Sequence, residues 1–239
     1  MKIYFACPTG QRRDNIIKKY GCEFGACLTR DTINHITARK MHWFFDNGAY
    51  SDWKNKIAFD SEKFINEMYR IESEIRFGKE LTNDVDFSLL KKGEPKGYRL
   101  VQPDFVVIPD LPARGNQSLF FSRKWIDYLE ENLPFYDYYL AVQDDMSYEL
   151  VEDDLKEKKY AGLFVGGTKS WKYKTSEEWV QLAHKYEIKC HIGGIGTPKD
   201  IRWANMIGAD SVDSGIAMIH PKYLSEILEI ENSTLFWVA

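Results

Sequence analysis

Seven short apolar runs, most of them followed by a helical pattern, constrain this 239-residue chain more than any other feature. They are KIYFACP (2–8), HWFFDNGAY (42–50), DFVVIPD (104–110), YYLAVQ (138–143), AGLFVGG (161–167), IKCHIGG (188–194) and ADSVDSG (209–215), with GACLTR (25–30) a candidate eighth. Their continuous hydrophobicity suits parallel strands covered on both faces. Between them, Phe64, Met68, Ile71 and Ile75 share one helical face, and Leu119, Ile126, Leu129 and Leu133 share another. Thr175 with Glu178 predicts a capping box ahead of Trp179, Leu182, Ala183 and Tyr186. Thr197 as N-cap, Pro198 at the first helical position and Gly208 as the stop frame a further helix. Such alternation implies either a (β/α)8 barrel or a doubly wound sheet. The length suits a barrel of about 250 residues, and no GxGxxG follows the first strand, which argues against a dinucleotide-binding fold. The expectation is an α/β fold: a single TIM-type (β/α)8 barrel over 1–239, with an inserted loop around 82–99.

Composition narrows the partners. Net charge is −4, so any nucleic-acid contact must come from a local patch. Lys91, Lys92, Lys96 and Arg99 form the best basic cluster, although they also read as solvated loop. No apolar run approaches the roughly 18 residues of a membrane span, and the N-terminus lacks a signal-peptide pattern, so a cytoplasmic protein with no membrane partner is expected. Cys7, Cys22, Cys27 and Cys190 include no second Cys/His pair at zinc spacing, and neither metal nor cofactor is expected.

The ends of the apolar runs are polar. Asp46, Asp110, Gln143, Gly166, Gly167, Gly193, Gly194 and Asp213 each follow an apolar stretch. In a barrel those C-terminal ends form one face, where active sites sit. Taken singly, each has a plainer reading: Asp110 as a turn residue before Pro112, Gln143 as a satisfied polar end. The turn GGIGTPKD also resembles a phosphate cradle, in which backbone N–H groups at a helix start bind an anion. That supports an alternative, a phosphate-binding barrel isomerase or aldolase, but Asp213 on the next strand would repel a phosphate.

The segment YYLAVQDDMSYELVEDDLKEKKYAGLFVGGTKSWK, followed by IGGIGTPKDIRWANMIGADSVDSG, resembles the core of the tRNA-guanine transglycosylases (queuine tRNA-ribosyltransferases). FFDNGAY is similar to that family's Asp-Ser-Gly-Gly-Phe motif, and VIPDLP lies where the family has a base-recognising Asp. The likeness runs from about residue 41 to 218, with the motifs in family order. It implies that Asp213 is the nucleophile and Asp46 the general acid/base, with Asp110, Gln143, Gly166 and Gly167 holding the base. Two departures point away from tRNA. The zinc-binding cluster after the nucleophile strand is missing, and the family's Leu-Ala-Val-Gly-Glu is replaced by Thr168, Lys169, Ser170, Trp171 and Lys172. Both resemble the reduced, DNA-directed branch found in phages and bacterial genomic islands.

The resemblance implies exchange of guanine in DNA, or alternatively in tRNA, for a free 7-deazaguanine base such as 7-cyano-7-deazaguanine. Lys169, Lys172 and Lys174 would contact the nucleic acid, or else are solvated helix-start charges. Tyr50 or Phe45 would stack on the base, and the run Trp43–Phe45 would raise the Asp46 pKa by desolvation. A partner ATPase or helicase, and a phage-encoded protein working in a host cytoplasm, are left open.

Overall fold

The computed structural model describes residues 1–6, 8–20, 24–78, 99–157, 160–220 and 222–227. The expected insertion, with Lys91, Lys92 and Lys96, lies outside the described residues apart from Arg99. Eight parallel strands close into a barrel in sequence order: β1 (Lys2–Ala6), β2 (Phe24–Thr29), β3 (His42–Asp46), β4 (Val106–Val107), β5 (Tyr138–Val142), β6 (Gly162–Val165), β7 (Lys189–Ile192) and β8 (Ser211–Ser214). β8 pairs back onto β1 with Asp213 opposite Tyr4. The expected TIM-type barrel is therefore the observed architecture, with the candidate eighth strand standing second in order.

Connecting helices follow the strands as parallel pairing requires. They include α1 (Gly10–Tyr20), α2 (His35–Lys40), α3 (Ala49–Lys54), α4 (Ser61–Phe77), α5 (Asn116–Asn132), α6 (Tyr148–Lys156), α7 (Lys169–Lys185), α8 (Pro198–Met206) and α9 (Ile216–Ile219). In α4 the buried face is Phe64, Met68 and Ile71, and in α5 it includes Leu119, Ile126 and Leu129. α8 starts with a complete capping box: Thr197 accepts from Asp200 N, and Asp200 accepts from Thr197 N. Two boundaries differ from the sequence reading. α7 begins at Lys169, so Thr175 is interior and its hydroxyl donates to Trp171 O at 3.0 Å instead of capping. β3 stops at Asp46, because Gly48 at φ +79° turns the chain into α3.

The barrel has two cores. Alternate residues Tyr4, Phe44, Phe105 and Tyr139 point inward with Phe164 packed on them, while Trp43, Phe45, Leu140 and Val142 face the helices. The inner rings stack tightly: Phe105 lies 3.9 Å from Tyr139 and 4.5 Å from Phe44, centroid to centroid. Glycines on neighbouring strands, or just past one, make room for them. A Cβ on Gly25 would collide with the Tyr4 ring, one on Gly193 with Phe164, and one on Gly162 would lie 2.5 Å from Tyr139 Cζ. Gly162→Ala is therefore expected to lose about 1–3 kcal/mol by overpacking, lowering Tm by several degrees at roughly 2–4 °C per kcal/mol for a chain this size. An unchanged melting temperature would mean that the rings can slide aside.

Candidate active site

Asp213 is the third residue of β8 and points inward, with 8% of its surface exposed. Its Oδ1 accepts from Gly194 N at 2.8 Å and pairs with His191 Nε2 at 3.1 Å. Among the described residues nothing donates to Oδ2. A carboxylate held at one oxygen and unengaged at the other is suited to nucleophilic attack from a fixed position.

Asp46 ends β3, and its Oδ1 accepts from Gly48 N at 2.8 Å. Burial raises its pKa to about 7; the Gly48 hydrogen bond opposes the rise, while the charges of Asp213 and Asp110 add to it. The expected desolvation is present, and the other two carboxylates reinforce it. Asp46 therefore exchanges a proton near neutrality, as a general acid/base must.

Asp110 follows β4 and is gripped on both oxygens. Asn47 Nδ2 donates to Oδ1 and Gln143 Nε2 to Oδ2, each at 2.9 Å. Burial raises its pKa to about 6 against those two hydrogen bonds. The two amides are themselves fixed by the backbone. Ala113 N donates to Gln143 Oε1 at 2.6 Å, and Ala49 N donates to Asn47 Oδ1 at 2.7 Å, so each NH2 must face away from those donors. Gln143 also donates to Ser118 Oγ at 2.9 Å. Both its hydrogens are thus taken, and its role differs from the expected one: it orients Asp110 and has no N–H left for a base. Asn47 and Ser118, which the sequence reading passed over, complete this network. If Asp110 reads a base edge, Asp110→Asn should cut discrimination for guanine over hypoxanthine by about 10- to 100-fold, since one N–H of guanine would meet a donor. Equal binding of the two bases before and after would remove Asp110 from the pocket.

Other expectations divide. Gly166 N donates to Val142 O at 2.8 Å and is used by the barrel. Gly167 adopts φ +76°, and a Cβ there would strike Asp144 and Trp171, so only glycine fits this turn. Lys169 is exposed and bridges to Asp200 at 2.9 Å, and Lys174 is exposed. Lys172 is neither a solvated charge nor an outward phosphate contact. It is buried, and its Nζ donates to Gly193 O at 2.5 Å. Burial lowers its pKa, with the charge of Asp213 opposing. Phe45 is fully buried against Phe64 in the outer core, so it does not stack on a ligand in the barrel, whereas Tyr50 is exposed on α3.

The glycine turn gives a second correction. Its N–H groups do not form an open anion cradle, because this chain's own carboxylates occupy it. Gly194 N donates to Asp213 Oδ1 at 2.8 Å, while Gly196 N and Thr197 N donate to Asp200 Oδ2 at 3.3 and 3.1 Å. Ile195 N donates to Asp213 O at 3.0 Å. Burial works against the Asp200 charge, but hydrogen bonds from Tyr173 and Lys169 outweigh it and hold the pKa near 2, so Asp200 stays ionised.

Among the described residues no cluster of His, Cys, Asp and Glu is arranged to hold a metal ion, and no helix is long and apolar enough to cross a membrane. Cys27 and Cys190 are buried and form no disulfide. No family model matches the chain, and no curated protein matches it. The chain is similar in structure to RipC from Yersinia pestis, with a TM-score of 0.47 and 12% sequence identity over 95% of this chain and 93% of that one.

Proposed function

We propose that the protein is a guanine transglycosylase that exchanges guanine in a nucleic acid, DNA in preference to tRNA, for a free 7-deazaguanine base. The observation that carries this reading is a pair of strand-end carboxylates in different surroundings. Asp213 is ionisable and held at one oxygen; Asp46 has a pKa of about 7, raised in part by the charge of Asp213. One carboxylate to attack and one to carry a proton is the arrangement that double displacement at an anomeric carbon needs.

In the first step an oxygen of Asp213 bonds to C1′. The C1′–N bond breaks, its electron pair leaves with guanine, and Asp46 protonates the departing base. In the second step the incoming base attacks C1′, its N–H proton passes to Asp46, and the ester bond returns its electron pair to Asp213. Asp110, anchored by Asn47 and Gln143, would accept N1–H and the exocyclic NH2 of the base. A base within a duplex would have to be flipped out to reach these groups. The direct test is incubation with labelled guanine and either single-stranded DNA, duplex DNA or tRNA. Label is expected in DNA; label in tRNA alone would return the protein to the tRNA-directed branch, and label in none would remove the reading.

One observation favours the aldolase alternative. Lys172 is a buried lysine of lowered pKa at the mouth of the barrel, the kind of amine that forms Schiff bases. Against it, the glycine turn has no free seat for a substrate phosphate. Borohydride trapping of a carbonyl compound on Lys172 would decide for that alternative.

A further inference from the structure

We infer that His191 is a positioning residue that selects which oxygen of Asp213 reacts. It fixes Oδ1 as the future ester carbonyl and leaves Oδ2 to bond with the sugar. The inference rests on the transglycosylase reading and adds a residue to it.

His191 lies on β7 and points into the barrel, without solvent exposure. Its ring is boxed by aromatic side chains: Phe164 stacks at 5.0 Å and 14°, Phe44 meets it at 5.0 Å, and Phe105 and Tyr4 at 5.3 and 5.9 Å. Burial in this box lowers its pKa, with Asp213 opposing and Lys172 assisting, and the neutral ring carries one hydrogen. Nε2 lies 3.1 Å from Asp213 Oδ1 and Nδ1 lies 2.8 Å from Ser211 Oγ. Oδ1 already accepts from Gly194 N, so it is the acceptor toward His191 as well; the hydrogen sits on Nε2, and Nδ1 accepts from the Ser211 hydroxyl. A chain of bonds thus runs Ser211 to His191 to Asp213, with Gly194 N adding a second donor to the same oxygen.

The consequence is chemical. Before reaction the two donors face a carboxylate oxygen. After attack through Oδ2 they face the ester carbonyl, which still accepts both. Attack through Oδ1 would leave them on an alkylated ester oxygen, a poorer acceptor, with the carbonyl bare. His191 itself moves no proton, so its effect is on the placement of Asp213 and not on acid–base supply.

His191→Phe keeps an aromatic ring in the box and removes the donor, while His191→Gln places an amide N–H near the same point. With an oligodeoxynucleotide and radiolabelled guanine, His191→Phe should lower kcat by about 10- to 100-fold, as expected for a hydrogen bond to a charged group. KM for guanine should stay within about twofold, because Asp110 is untouched. The rate of enzyme–DNA adduct formation should fall in parallel, and His191→Gln should recover most of the loss. If His191→Phe fails to fold, Ser211→Ala tests the same chain from its far end, with about a 3- to 10-fold loss in kcat and KM unchanged. Equal impairment in the Phe and Gln variants, or a wild-type adduct rate in the Phe variant, would overturn the inference. Nitrogen NMR of the wild-type protein at pH 7 should find His191 neutral and protonated at Nε2. An Nδ1–H tautomer would overturn the inference whatever the enzyme acts on, whereas absence of exchange by the wild type with that tautomer in place would count against the transglycosylase reading instead.

Discussion

Asp213→Asn is expected to abolish base exchange, with a loss on the order of 10⁴-fold or more, the scale on which removal of a nucleophile affects other covalent enzymes. The wild-type protein, denatured while turning over DNA without free base, should leave a fraction of chains joined to the polymer through a sugar–aspartyl ester. The Asn variant should leave none. Folding should survive, because the amide oxygen can still accept from His191 and Gly194, the two donors that hold Oδ1. Denaturing gels resolve the adduct, and a melting curve verifies the fold. A variant that still exchanges labelled guanine would reduce Asp213 to an element of the glycine turn.

Asp46→Asn should also stop turnover, by about 10²- to 10⁴-fold, through loss of the proton carrier. It carries a second signature in stability. The folded-state pKa is raised from 3.8 to about 7, so between those values the folded chain keeps a proton that the unfolded chain has released. Stability contributed by this carboxyl is therefore full below about pH 4, declines as pH rises toward 7, and is constant beyond. The Asn variant has no proton to lose. At pH 4 it should match the wild type within about 1 kcal/mol, and at pH 8 it should be more stable by about 2–4 kcal/mol, from roughly 1.4 kcal/mol per pKa unit reduced for partial solvent access. Asp110, with a pKa of about 6, shifts both proteins in the same direction. Urea titrations at the two pH values measure the difference. A gap that does not widen with pH would mean Asp46 is ionised in the folded state and cannot donate.

The barrel was legible because eight buried strands leave eight apolar runs, and because caps such as Thr197 with Asp200 are local chemistry. What escaped was set by less local effects. α1 carries few apolar residues, with Ile16 and Ile17 making its main contact with the core, so its periodicity is faint. The helix start near Thr175 was misplaced because a Thr–Glu pair occurs at cap spacing inside a longer helix, whose start at Thr168 is held instead by Asp144 from the end of the neighbouring strand. The strand-end carboxylates were readable from position alone. Their partners were not. Gln143 is committed to Asp110 by a backbone N–H from Ala113, a contact across 30 residues. His191 did leave a signal: it stands two residues before Gly193, just as Ser211 stands two before Asp213, and the period of two sends all four to the interior. The same parity sends Phe44 inward and Phe45 outward, which is why Phe45 was a poor choice for a stacking partner.

The stacked rings of Phe44, Phe105 and Tyr139, with Tyr4 edge-on to the first two, fill the inside of the barrel and make it a cup, not a tube. A cup has one rim. If the protein is a guanine transglycosylase, the polymer, the guanine it loses and the base it gains would all cross that rim. Traffic would then be sequential, with the nucleic acid seated while two small molecules pass beneath its edge. An excess of either free base should slow the exchange of the other by simple congestion, a property set by hydrocarbon packing some distance from any reacting atom.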